Sequence, residues 1–221
     1  MISAREPGYK ETLQIKLGKA ALSAPDAQLC AWVASHYGVT APLNVHYDEI
    51  HDGELPRLNI IFDRRGDAAS FQKKDGFGFN TRKQGRVLKT ARQLGVLDHL
   101  DAASQEKTLV IFSELENAVR AEAVAAITDA DIQAIRSVMP GPRAWLVSRI
   151  FGVAIVFFEA DSDLSSKAGK HAQEAWRKAL QAKSKEYDAC RYFDAEPLRV
   201  SFDSRENFEK KYNGDWRAYY N

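Results

Sequence analysis

Between positions 64 and 92 nine basic side chains, Arg64, Arg65, Lys73, Lys74, Arg82, Lys83, Arg86, Lys89 and Arg92, stand against Asp67 and Asp75 alone. Arg82, Arg86 and Lys89 follow an i, i+4, i+7 spacing, which predicts a basic ridge along one face of a helix. Leu88, Ala91 and Leu94 take another face of the same segment. Such a ridge attracts phosphates or an acidic protein surface, because several cations meet several anions at once. Phe71, Phe77 and Phe79 offer stacking faces beside it. The plainer alternative is a solvated helix face, balanced by the acidic excess of residues 101–160. Across the chain 31 Lys and Arg oppose 30 Asp and Glu, so the total charge gives no pull toward nucleic acid or membrane.

A second group, His46, Asp48, His51 and Glu54, holds metal-binding residue types. On a strand His46 and Asp48 project to one face, and a loop brings His51 or Glu54 near. The spacing matches no metal-site signature, and a polar strand end before a turn is the competing reading. The C-terminus concentrates aromatic residues: Phe202, Phe208, Tyr212, Trp216, Tyr219 and Tyr220. This tail closes over a core or, through Trp216 and Tyr219, presents a contact surface. Cys30 and Cys190 lie far apart and form no Cys-x-x-Cys pair. Phosphate-binding Gly-x-x-x-x-Gly-Lys, Gly-x-Gly-x-x-Gly, His-Glu-x-x-His and Gly-x-Ser-x-Gly motifs are all missing. No catalytic residue and no cofactor is therefore expected.

The positioning elements follow from pattern. A helix is predicted over 26–37, capped by Ser23 or Asp26 and ended by Gly38. Strands at 43–47 and 57–63 form a loose hairpin around Asp52-Gly53. A short helix at 66–74 and a flexible Gly-rich link with two buried phenylalanines lead to the basic helix at 81–94. A strand at 108–112 precedes a helix capped by Ser113, and a capping box at Thr128 starts the next one. Pro140-Gly141-Pro142 is the strongest breaker and the expected boundary between residues 1–139 and 140–221. Beyond it come a hairpin turning at Phe151-Gly152, a long helix over 165–187 with an alanine stripe, a strand at 198–202 and a last helix capped by Ser204. Residues 57–71 and 198–211 echo each other across a three-residue gap, which implies two related halves.

The fold class expected is α+β, with largely antiparallel sheets and packed helices. No signal-length apolar stretch follows Met1, and the longest apolar run, 150–158, falls well short of the about 20 residues that span a membrane. A soluble cytoplasmic protein is expected. In general character the chain is similar to bacterial toxin-neutralising immunity proteins, being small and cysteine-poor; that similarity is one of type and rests on no motif. The function expected is non-enzymatic binding of another macromolecule, an acidic protein first and nucleic acid second. Arg64, Arg65, Lys73, Lys74, Arg82, Arg86, Lys89, Trp216 and Tyr219 would make the contacts. The alternative is a nucleotide- or nucleic-acid-processing enzyme that uses the ridge and a metal at residues 46–54.

Overall fold

The computed structural model describes residues 4–50 and 55–220. The chain divides into two compact units between Ala118 and Val119. That division lies upstream of the Pro140 breaker. Ala123, Val124, Ile127, Ile132 and Ile135 precede the prolines but belong to the second core.

The N-terminal unit contains α1 (Pro7–Lys16), α2 (Ala24–Tyr37), β1 (Asn44–Ile50), β2 (Leu55–Phe62), α3 (Arg65–Ala69), α4 (Thr81–Gln93), α5 (Ala102–Lys107), β3 (Leu109–Glu114) and the start of α6 (Leu115–Ala126). β2 is the central strand, antiparallel to β1 and parallel to β3, with Leu58 opposite Val110 and Phe62 opposite Glu114. Side chains alternate across a strand. Leu58, Ile60, Phe62, Val110 and Phe112 therefore share one face, where they pack with Leu29, Val33, Phe71, Val87 and Ala91 from the helical side. Ser23 caps α2, and Gly38 ends it at φ +65°. Neither α1 nor α5 is expected from pattern. α1 starts on Pro7, whose fixed φ suits a first helical position, and buries only Gly8, Tyr9 and Thr12, too few for a visible period. A Cβ on Gly8 would lie 2.7 Å from the His46 ring, so glycine there lets the helix approach β1. Ser113 does not cap a helix as expected. It lies inside β3, fully buried, and its hydroxyl donates to Asn59 Oδ1 at 2.7 Å.

The C-terminal unit holds the rest of α6, then α7 (Asp129–Val138), β4 (Ala144–Ile150), β5 (Val153–Phe158), α8 (Asp161–Ser165), α9 (Lys167–Tyr187), α10 (Tyr192–Ala195), β6 (Val200–Ser204), α11 (Arg205–Tyr212) and α12 (Trp216–Tyr220). β5 is central, antiparallel to β4 and parallel to β6. Phe151 and Gly152 turn the hairpin with positive φ at both residues, as a tight two-residue turn demands. The expected 165–187 helix is present as α9, starting two residues later. Ser166 caps α9 afresh, and Gly169 passes so close to the Asp163 carbonyl that a Cβ would overlap it. The buried line of α9 is Gly169, Ala172, Trp176, Leu180 and Ser184, while Ala168 and Ala182 face out. Trp176 and Leu180 are thus central to this contact rather than at its flank.

Both units run the same course: hairpin, helices, a third strand parallel to the second, then a helix. The 57–71 and 198–211 echo does not coincide with this correspondence, because β2 is central and β6 is an edge. The matching segments are β3 into α6 and β6 into α11, where Phe112, Glu116 and Asn117 recur as Phe202, Glu206 and Asn207. The shared bonds are specific. The Glu116 amide donates to the Asp63 carbonyl and the Glu206 amide to the Glu159 carbonyl, each at 3.2 Å. The Glu116 carboxylate accepts from the Arg65 amide at 3.4 Å, and that of Glu206 from the Asp161 amide at 3.0 Å. In each unit a glutamate at the start of the helix after the third strand satisfies the first free amide of the helix after the second strand.

Candidate functional site: the α3–α4 corner

Residues 72–79 form an ordered turn rather than a flexible link. Gln72 bridges Phe79, the Lys73 amide donates to the Gly78 carbonyl at 3.0 Å, and the Phe77 amide donates to Asp75 Oδ1 at 3.0 Å. Gly76 and Gly78 both sit at φ +78°, a conformation that side-chain-bearing residues resist. The two phenylalanines separate. Phe79 is half-buried with its ring 5.4 Å from Phe112, whereas Phe77 is 82% exposed at the tip. Phe71 offers no stacking face to a ligand. It is fully buried among Tyr37, Phe62 and Phe112.

Asn80 follows the turn, and its side chain accepts from the Arg82 and Lys83 amides to cap α4. Val87 and Ala91 face the core; Arg82, Arg86 and Lys89 are exposed. The nine basic residues divide by partner. Lys83 folds inward, donating to the Ser70 carbonyl at 2.7 Å with its ammonium 4.8 Å from the Phe71 ring centre. Arg64 reaches Glu116 at 3.1 Å, Arg86 stands 3.4 Å from His36 Nε2, and Arg92 lies 4.0 Å from Glu106. The Arg65 amide bonds Glu116. Lys73, Lys74, Arg82 and Lys89 are exposed, and their side chains have no ion-pair or hydrogen-bond partner among the described residues. Two of these flank the turn and one stands in the first turn of α4.

Beside the turn, at the carboxyl end of β3, opens a cleft of about 430 Å³ lined by Arg65, Gln72, Phe79, Phe112, Glu114 and Asn117. Glu114 is 9% exposed and accepts from Asn117 Nδ2 at 2.8 Å and from its own backbone amide. Burial raises its carboxyl above the usual range, opposed by the N-terminal charge and by the hydrogen bonds from Asn117 and its own amide. Glu114, Phe112 and Asn117 were not foreseen as site residues. They lie at a strand end whose place beside α3 depends on the long-range parallel pairing with β2.

Of the 46–54 group, the two described members are engaged elsewhere. His46 Nδ1 is 2.9 Å from Glu11, and both oxygens of Asp48 are taken by the guanidinium of Arg57, its cross-strand partner. His51 and Glu54 lie outside the described residues. Among the described residues no three His, Cys, Asp or Glu side chains gather to hold a metal ion. In the C-terminal unit Trp216 stacks on Phe208 at 4.0 Å, and the Tyr219 hydroxyl donates to Asp203 at 2.7 Å. Both rings are half-buried within their own unit. No described helix is long and apolar enough to cross a membrane. Compared with known protein families, with curated proteins and with solved structures, the chain finds no match.

Proposed function

We propose that the chain is a non-enzymatic binding protein whose 72–79 turn and outer α4 face take an acidic protein partner. The observation that carries this reading is the tip itself. An 82% exposed phenylalanine stands on a hydrogen-bonded turn beside exposed cations that have no partner among the described residues. A large ring held out on an ordered turn is costly in water and loses little entropy on docking, which is the character of an interface anchor. Lys73, Lys74 and Arg82 around it favour carboxylates at the partner's rim and speed encounter at low salt.

The test is a selection from a random-peptide library, followed by fluorescence anisotropy on the recovered peptides. Acidic peptides with an apolar residue are expected, with at least tenfold weaker binding to Phe77→Ala and to the Lys73→Glu/Lys74→Glu/Arg82→Glu variant. Charge-neutral peptides indifferent to both variants would defeat the reading. So would a single-stranded oligonucleotide that binds more tightly than any peptide and releases steeply with salt.

A further inference from the structure

We infer that Asn213 is a chemical modification site: its side-chain amide is lost through a cyclic imide with Gly214, and the β-aspartyl joint that results unlatches α12 from the C-terminal sheet. The inference uses no residue of the proposed docking surface, and neither depends on the other.

The first argument is sequence. Asn213 precedes Gly214 in the single Asn-Gly pair of the chain. A glycine has no Cβ to shield its amide nitrogen from the side chain before it. The second argument is exposure. Asn213, Gly214 and Asp215 all face solvent, and a Cβ on Gly214 would meet nothing within 4 Å. The third argument is an internal contrast. Asn44 and Asn59 are buried and hydrogen-bonded. The Asn80 side chain caps α4, and the Asn117 and Asn207 side chains each donate to a carboxylate. Among the described asparagines, Asn213 alone has a side chain without a hydrogen-bond partner. Its amide is therefore the one that is free to turn on its own backbone. The joint is also lightly held. Asn213 and Gly214 sit at φ +51° and +70° after α11, fixed by the Gly214 amide on the Phe208 carbonyl at 3.4 Å and the Asp215 amide on the Tyr212 carbonyl at 2.9 Å. An exposed joint with so few bonds opens locally without unfolding the unit.

The chemistry needs only water. The Gly214 nitrogen, on losing its proton, bonds to Cγ of Asn213; the Cγ–Nδ2 bond breaks, and the amide leaves as ammonia with that proton. Water then adds to one carbonyl of the cyclic imide. If the new nitrogen–Cγ bond breaks, aspartate results. If the original peptide bond breaks instead, the main chain runs on through Cγ as β-aspartate and is longer by one carbon. That carbon enters between the donors and acceptors that fix the joint, so the Gly214 and Asp215 amides no longer reach Phe208 and Tyr212 together. The placement of α12 depends on them. Its Trp216 ring lies 4.0 Å from that of Phe208, and the Tyr219 and Tyr220 hydroxyls reach Asp203 and Ser148. Together these rings cover Trp145 and Phe157 on one face of the β4–β6 sheet. A five-residue helix is too short to persist without that packing.

The experiment is prolonged warm incubation of the full chain at pH 8 and, in parallel, at pH 5. Peptide mapping by mass spectrometry and enzymatic methylation of β-aspartyl groups follow each asparagine. Conversion at Asn213 is expected at least tenfold faster than at any other asparagine, and faster at pH 8, because the attacking nitrogen must lose a proton. Near-UV circular dichroism from the stacked Trp216 and Phe208 rings should decline in step with β-aspartate content. Two variants separate the causes. Asn213→Gly keeps the positive φ but cannot cyclise, and its spectrum should hold throughout. Freshly prepared Asn213→Asp carries the new charge without the extra carbon, and should start with the parent's spectrum. Absence of β-aspartate at 213, or earlier conversion of another asparagine, overturns the modification site. Conversion with an unchanged spectrum, an equal decline in Asn213→Gly, or a spectrum already lost in fresh Asn213→Asp overturns the unlatching.

Discussion

Three phenylalanines within nine residues should respond to truncation in three different ways. Phe71 is fully buried, with ring centres of Phe112, Tyr37 and Phe62 at 4.2, 4.9 and 5.2 Å, so Phe71→Ala removes a whole core side chain and leaves a cavity. The expected loss is about 3–5 kcal/mol. Phe79 is half-buried against Phe112, and Phe79→Ala should cost about 1–2 kcal/mol, the share of side-chain burial it forfeits. Phe77 keeps 82% of its surface in water, so Phe77→Ala should leave stability within about 0.5 kcal/mol of the parent. Binding reverses the order. An interface anchor is worth about 2 kcal/mol or more, so Phe77→Ala should weaken a selected acidic peptide about thirtyfold. Urea unfolding followed by circular dichroism gives the first series, and peptide anisotropy on the same samples gives the second. If Phe77→Ala destabilises the chain as much as Phe79→Ala, the ring is packed and not presented. If it leaves peptide affinity unchanged, the turn is not the contact.

Other consequences are checked as directly. Burial raises the Glu114 carboxyl, so the folded chain holds that proton at pH values where the unfolded chain has lost it, and stability attributable to this group falls as pH rises above about 4.5. Glu114→Gln should therefore be more stable than the parent at pH 7, with the gap closing toward pH 4; a constant gap in paired thermal melts would contradict the buried placement. Burial pushes the Cys30 thiol up to about 12, so at pH 8 maleimide should label Cys190 alone in the native chain and both cysteines in denaturant. Tyr219→Phe removes a donor to Asp203 in a half-buried place and should cost about 1 kcal/mol, or about 2–4 °C in Tm; an unchanged melt would mean the tail does not brace the β4–β6 sheet.

What could be read from the sequence was what local chemistry decides. Ser23 and Gly38 bound α2, Thr128 and Asp131 form their reciprocal cap, and Phe151-Gly152 turns a hairpin, because each device acts within a few residues of itself. The misreadings share a non-local cause. Ser113 before Glu114 and Glu116 looks like a helix cap until Asn59, more than fifty residues earlier, takes its hydroxyl. Phe77 and Phe79 are chemically identical, and only the turn across the Gln72–Phe79 bridge decides which one meets the core. The basic ridge was legible as a spacing, yet which of its cations remain unpaired was not, since Lys83 is drawn inward by Ser70 and the Phe71 ring. The cleft was invisible for the same reason: its acid, its rings and its arginine come from three separate segments. One signal did lie in the sequence. The Phe-x-x-x-Glu-Asn spacing at 112–117 returns at 202–207, marking the β-strand-to-helix joints of both units.

That repeated joint isolates what differs between the two corners. In both units the glutamate after the third strand bonds the leading amide of the crossover helix, so the backbone of the corner is held the same way twice. Side chains then set the difference. In the C-terminal unit Arg205, Lys210, Glu159, Glu206 and Glu209 answer one another across the corner, leaving ion pairs that a visiting charge would have to displace. In the N-terminal unit Glu116 takes Arg64, and Glu114 is held by the Asn117 side chain and its own amide beside two aromatic rings. Lys73, Lys74 and Arg82, exposed and without a partner among the described residues, stand on the turn and helix next to it. Exchanging internal partners for solvent there costs the fold little, because surface ion pairs contribute about 0–1 kcal/mol each. The same exchange leaves those charges facing solvent, which is the feature the proposed docking surface relies on.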